Sequence, residues 1–246
     1  MKVSHLLAAA SAALAVASCG GDQGNTTAAG GDSQVAPVAP PEGGDWSKMV
    51  TETAAGGYLM GNPYAAVKVV EYGSMTCPHC AEFDETGFQP LVDNYVKTGR
   101  VSFEFRNFVR DPLDITMSLI ARCAGPERFY ALTEAMFESQ RGFFEQLQSA
   151  PQERAQALAQ LPPAQQFAGY AELAGLQPWA AQRGLPSARQ QACLSNQVEI
   201  DQLVQMNGEA VSTHNVSGTP SFLINNELVE GASTWDRLEP AIKDAL

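Results

Sequence analysis

The chain has 246 residues, a net charge of −12 and 45% hydrophobic residues. That length allows one large domain or two small ones around an ample core. Such an excess of negative charge argues against nucleic acid or an anionic lipid surface as an electrostatic partner.

Met1-Lys2 is followed by an apolar run from Leu6 to Ala17, the length of a signal-peptide core and too short to span a bilayer. Residues 1–18 are therefore expected to be removed. Val16-Ala17-Ser18-Cys19 resembles a bacterial lipoprotein box, in which Cys19 becomes the lipidated first residue, while Ala15-Val16-Ala17 suits an ordinary secretory cleavage. Cysteine arithmetic favours lipidation, because setting Cys19 aside from five cysteines leaves four, or two pairs. Two or more acyl chains hold a protein on a membrane where one does not. Residues 19–45 are expected to be a disordered tether, poor in large apolar side chains. Its flexible reach is roughly 25 to 30 Å.

The folded part is expected from Trp46, with a short helix or strand before the turn at Gly61-Asn62-Pro63. Ala66 to Tyr72 is short, β-branched and aromatic, and ends at Gly73-Ser74, the pattern of a buried strand. Cys77-Pro78-His79-Cys80 follows, and Cys80, Phe83, Gly87, Leu91 and Tyr95 then recur at helical spacing. Proline is favoured at the first helical position, which makes Cys77 the N-cap of that helix. The free amides and dipole of a helix start stabilise an anion, so Cys77 is expected to be an acidic, exposed thiol. Cys80 lies one turn on, close enough to form a disulfide with it.

Gly99 ends the helix, and Val101 to Arg106 alternates as a second core strand, completing a βαβ unit. From 113 to 214 no strand-like run occurs, and helical pieces are punctuated by prolines. Residues 46–112 thus read as the first part of an α/β domain, 113–214 as an all-helical insertion and 215–246 as the second part. That second part holds the apolar run Ser221 to Ile224, a turn at Asn225-Asn226, a short strand at Leu228-Val229 and a last helix from about Thr234. No internal repeat is visible.

Strand, Cys-Pro-His-Cys, helix and, far downstream, Gly218-Thr219-Pro220-Ser221-Phe222 together resemble the DsbA-like thiol:disulfide oxidoreductases of the thioredoxin superfamily. The resemblance runs from about Gly57 to the C-terminus. It implies a thioredoxin-like fold with the helical insertion, Cys77 as nucleophile and Cys80 as its resolving partner in a redox-active disulfide. It also implies a cis Pro220 whose neighbour Thr219 presents backbone to an extended substrate. Glu71 falls where such proteins keep a buried acid beneath the second cysteine, and burial would raise its pKa and let it take the Cys80 proton.

His79 completes the DsbA dipeptide between the cysteines and, protonated, would add positive charge beside Cys77. Thioredoxin, near about −270 mV, and DsbA, near about −120 mV, differ by roughly 7 kcal/mol for two electrons, so this dipeptide implies an oxidising disulfide. Thr219 departs from the valine of the best-known DsbA oxidases and matches the threonine of Dsb isomerases, which keeps isomerase or reductase as the alternative. A non-catalytic lipid-anchored binding module is a third reading, opposed by the intact Cys77 and Cys80. Cys123 and Cys193 are expected to form a structural disulfide, since exported proteins keep few free thiols and some DsbA-like relatives carry a second bridge there. In the chain-entropy picture so long a loop contributes about 4 to 5 kcal/mol.

No cofactor is implied, and a metal site would lack ligands, with only His79 and His214 beside the cysteines. Met75 and Tyr72 are candidates for an apolar landing surface near the motif. The implied partners are reduced exported proteins, a membrane redox partner of the DsbB type that reoxidises the pair, and a membrane through the lipid anchor. The implied location is the bacterial periplasm.

Overall fold

The computed structural model describes residues 40–246. The expected signal peptide at 1–18, the lipidation at Cys19 and all but the last six residues of the expected tether lie outside the described residues. Those last six include a 3-10 turn at Glu42–Gly44, and the Asp45 side chain caps a second one at Trp46–Lys48.

The six-stranded sheet comprises β1 (Val50–Glu52), β2 (Tyr58–Gly61), β3 (Val67–Gly73), β4 (Val101–Asn107), β5 (Ser221–Ile224) and β6 (Glu227–Leu228), in the order β1-β2-β4-β3-β5-β6. Only β3 and β4 pair in parallel, and parallel neighbours need a crossover such as the helix between them; the other neighbours are antiparallel. The β5–β6 hairpin turns at Asn225 and Asn226, both in the left-handed region that a two-residue hairpin requires.

Successive side chains of a strand point to opposite faces, and β3 is apolar on both. Val67 and Val69 join the main core, while Val70 and Tyr72 pack on the far face with Leu223, Val216 and Ala210. Glu71 takes the place of an apolar side chain on the Val67–Val69 face.

The crossover starts as α1 (Pro78–Phe83), continues through a π-helical turn (Asp84–Phe88), α2 (Gln89–Leu91) and a second π-helical turn (Val92–Val96). Its apolar stripe of Cys80, Phe83, Gly87, Leu91 and Tyr95 is buried throughout. After β4 come α3 (Pro112–Arg122), α4 (Pro126–Ser149), α5 (Gln152–Leu158), α6 (Pro163–Leu173), α7 (Leu176–Gln182), α8 (Ser187–Leu194) and α9 (Gln197–His214), before α10 (Trp235–Ala245) closes the described chain.

The helical stretch is tied to the sheet by buried polar groups as well as by apolar packing. The Tyr130 hydroxyl of α4 donates to the Tyr58 carbonyl (2.5 Å) and accepts the Phe105 N–H (3.2 Å). Cys123 and Cys193 are joined as a disulfide between the end of α3 and α8. Beside it the buried Arg122 donates to Glu199 of α9 (2.7 Å), to the Gly56 carbonyl (2.7 Å) and to Glu52 of β1 (3.3 Å), with its guanidinium 4.9 Å from the Tyr58 ring centre. Glu52 and Glu199 are partly in water, so the cost of removing Arg122 lies in its own lost packing on Tyr58 and in the buried Gly56 carbonyl left without its donor. Arg122→Met is therefore expected to lower the unfolding free energy by roughly 2 kcal/mol at constant m-value in urea. A loss below about 1 kcal/mol, the size of a surface pair, would show that the network does not hold the insertion to the sheet.

Candidate active site

The end of β3 leads into the tight turn Ser74–Cys77, where the Cys77 N–H bonds to the Ser74 carbonyl at 3.1 Å. Pro78 then opens α1, and Cys77 is its N-cap with extended φ/ψ of −89° and 121°. Its own carbonyl accepts the Ala81 N–H at 3.2 Å as the first helical bond. The sulfur is thus set where the amides of residues 79 and 80 have no helical acceptor.

The two thiols, both free in this structure, have opposite environments. A hydrogen bond from Cys80, then the Thr219 side chain and the N–H groups of Cys80 and His79, favour the Cys77 thiolate over the opposing effect of burial. Its pKa falls from 9.0 to about 5. Burial, the hydrogen bond to Cys77 and the charge of Glu71 push the Cys80 thiol well above its ordinary value, against a bond from the Ser74 N–H to its sulfur at 3.4 Å.

The third wall comes from the loop before β5. The Cys77 Sγ–H donates to the Thr219 carbonyl at 3.2 Å, and the Thr219–Pro220 peptide bond is cis. The buried Thr219 hydroxyl has no hydrogen-bond partner, which leaves it available to an ionised Cys77. This wall corrects one expectation: Cys77 is only 3% exposed, because Thr219 and its neighbours fold over the helix start. Local sequence cannot show a cover contributed from 142 residues away. Met75 and Tyr72 are likewise buried at 0% and 1%, so neither offers a landing surface.

His79 is exposed, and its ring lies 3.3 Å from Glu82. Its contribution to Cys77 comes through its backbone N–H. Glu71 is 3% exposed between Phe105 and Phe222 on the neighbouring strands, and its Oε1 has no partner. Burial, then the negative charges of Asp84 and Cys77, hold its pKa well above the carboxylate range. A neutral carboxyl is what such a setting favours.

Three nearby polar residues escaped the sequence reading. Asp84 stands one turn beyond Cys80, in a groove with Pro78, Ala81, Glu134, Phe137 and Glu138. Burial and the two glutamates push its pKa up to about 7. Asp114 and Gln140, both buried, reach the turn from α3 and α4. Asp114 reads locally as an ordinary helix-start acid behind Asp111-Pro112. Gln140 did carry a signal, a polar residue on the apolar stripe of Met136, Phe137 and Phe143.

A family model described as Thioredoxin matches residues 53–244. Among solved structures, the protein-disulfide isomerase from Novosphingobium aromaticivorans superimposes with a TM-score of 0.72 at 35% identity, over 76% of this chain and 95% of that one. Wolbachia pipientis alpha-DsbA1 shares the fold with a TM-score of 0.60 at 22% identity, over 76% and 89% of the two chains. A Rickettsia prowazekii protein, whose name as a protein-disulfide oxidoreductase is provisional, is 27% identical over 188 residues, 76% of this chain and 61% of its own. The chain spans about three fifths of the length of this and two further Rickettsia relatives, at 59%, 61% and 59%. No helix among the described residues is long and apolar enough to cross a membrane. The thioredoxin sheet with its inserted helices, the cysteine pair at a helix start and the match over residues 53–244 place the chain in the thioredoxin family.

Proposed function

We propose that the protein oxidises cysteine pairs of exported proteins by dithiol–disulfide exchange through Cys77 and Cys80. The observation that carries this reading is the asymmetry of the pair: one sulfur with its pKa lowered to about 5 at the helix start, 3.2 Å from the Thr219 carbonyl, and one buried sulfur held protonated.

In the oxidised protein, a substrate thiolate attacks the Cys77 sulfur. The Cys77–Cys80 bond breaks, a mixed disulfide forms and Cys80 leaves with an electron pair that must be protonated. A second substrate thiolate then attacks the substrate sulfur of the mixed disulfide and expels Cys77 as a thiolate. Two electrons pass to the enzyme, which ends as the dithiol, and the substrate ends as a disulfide. Cys77 is the better leaving group because its pKa is low.

Glu71 is the buried acid that exchanges the Cys80 proton, and the Thr219 backbone with Pro220 receives the extended substrate. The remaining parts of the proposal are a periplasmic location, a lipid anchor at Cys19 and reoxidation by a membrane partner of the DsbB type. Isomerase or reductase activity is the second reading, favoured by Thr219 and by the name of the Novosphingobium relative.

Equilibration with glutathione separates the two, because the low Cys77 pKa stabilises the dithiol. The sign follows from linkage: the folded pKa of about 5 lies below the ordinary 9.0, so the stabilisation is complete above pH 9.0 and is lost as the pH falls through 5. Thiolate absorbance of the reduced protein is expected to titrate with a midpoint near 5. Measured against glutathione, whose thiols are ordinary, the pair is expected to become less oxidising as the pH falls from 9.0 toward 5. A potential near that of thioredoxin, about −270 mV, would reverse the proposed direction. Cys77→Ala is expected to abolish oxidation of a reduced substrate, and undiminished activity would exclude Cys77 as nucleophile. Glu71→Gln is expected to slow the release of Cys80 by about 100-fold or more, the scale of a lost acid–base group. An unchanged single-turnover rate would remove Glu71 from the mechanism.

A further inference from the structure

The turn Ser74–Cys77 delivers the nucleophile to α1, yet neither β3 nor α1 accounts for how it is held. Side chains from the helical stretch grip it on its donor side and on its acceptor side. Asp114, in the first turn of α3 and 0% exposed, accepts the Met75 N–H at 2.8 Å through Oδ1. Its Oδ2 accepts the Ser74 hydroxyl at 2.6 Å and the Arg110 N–H at 3.1 Å. Gln140 of α4 uses Nε2 to donate to the Met75 carbonyl at 2.9 Å and the Cys77 carbonyl at 3.0 Å. Arg110 adds bonds to Ser74 Oγ and Thr76 Oγ1, each 2.9 Å. Its segment is pinned by Asn207 of α9, which bonds both the N–H and the carbonyl of Val109 at 2.7 and 2.6 Å.

A buried carboxylate is costly, and α3 does not need this one. The helix is already capped by Asp111, whose Oδ1 accepts the Asp114 N–H at 2.9 Å. Burial pushes the Asp114 pKa up to about 6 in spite of its bonds to Ser74 and Arg110. Its hydrogen-bonding capacity is spent on the turn. What the turn does for the sulfurs is directional: it aims the Ser74 N–H at Cys80 and seats Cys77 against the amides of His79 and Cys80. Hydrogen bonds weaken steeply with misalignment, so a modest rotation of this turn would weaken both.

We propose that Asp114 and Gln140 are positioning residues for the Cys77–Cys80 pair: from the helical insertion they lock the Ser74–Cys77 turn in the orientation that keeps both sulfurs on their amide donors, and so set the redox poise. This rests on Cys77 and Cys80 being the exchanging pair. Neither residue touches the substrate or the sulfurs; both act through the backbone.

The test is the equilibrium of the pair with glutathione at about pH 7, measured for the wild type, Asp114→Asn, Gln140→Met and Leu176→Ala, with thermal unfolding alongside. Asp114→Asn and Gln140→Met are each expected to move the equilibrium about tenfold toward the disulfide, because the thiolate loses its alignment. Charge alone predicts the opposite for Asp114→Asn, since removing an anion near a thiolate favours the thiolate. Gln140→Met alters no charge at all. Leu176→Ala, in the fully buried core of α7, is expected to lower the unfolding temperature while leaving the equilibrium unmoved. The proposal is overturned if either variant leaves the equilibrium in place or moves it toward the dithiol, or if Leu176→Ala shifts it as much. Should Asp114→Asn fail to fold, Gln140→Met decides alone. A wild-type pair that does not exchange with glutathione at all would instead remove the proposed function on which this rests.

Discussion

The site depends on one local arrangement, a sulfur held at the start of a helix where backbone N–H groups have no partner. Peptide dipoles cannot reorganise away from that point, so the preference for an anion is permanent and does not rely on any mobile side chain. On that base the Cys80 thiol gives Cys77 its largest stabilisation, the Thr219 side chain adds to it, and the N–H groups of Cys80 and His79 complete it, the His79 ring lying out against Glu82. Burial works against all of them, and the thiol, hydroxyl and amide donors together outweigh it.

Cys80 and Glu71 follow from the same geometry by continuation. One turn of helix carries Cys80 into the core, onto the face of β3 that also bears Glu71. Two acids of high pKa, a thiol and a carboxyl, therefore share an apolar space in which neither ionises readily while Cys77 is negative. The asymmetry of the pair thus comes from what surrounds each sulfur: donors from Cys80, Thr219 and the helix start favour the Cys77 thiolate, and burial without enough donors keeps Cys80 a thiol.

The helical stretch is part of this arrangement as well as a neighbour to it. Through Tyr130, Arg122 and the Cys123–Cys193 disulfide it grips the sheet, and through Asp114 and Gln140 it grips the turn before the nucleophile. A groove bordered by Asp84, Glu134 and Glu138 separates α1 from α4 on the same side. Burial, with the charges of Glu134 and Glu138, pushes the Asp84 pKa up to about 7 there. The insertion therefore shapes both the backbone and the electrostatic surroundings of the site.

What the sequence determined by itself was everything that depends on near neighbours. Proline at 78 set the helix start and made Cys77 its N-cap; a β-branched, aromatic run marked β3 and two-residue alternation marked β4; the Asn225-Asn226 pair made the hairpin; the stripe from Cys80 to Tyr95 set the buried face of the crossover. The β6 strand came out one residue earlier than the Leu228-Val229 expectation, at Glu227–Leu228, an ordinary uncertainty at a strand end. Only the tertiary structure decided what surrounds the sulfurs and the turn that carries them. The Thr219 carbonyl lies 142 residues from Cys77 in sequence, and Gln140 lies 63 away. Composition and period state which face of an element is buried, and not which partner buries it. Cys77 is covered, Met75 and Tyr72 are sealed in, and Asp114 serves a turn rather than a helix, because chain segments distant in sequence meet there and local patterns carry no record of the meeting.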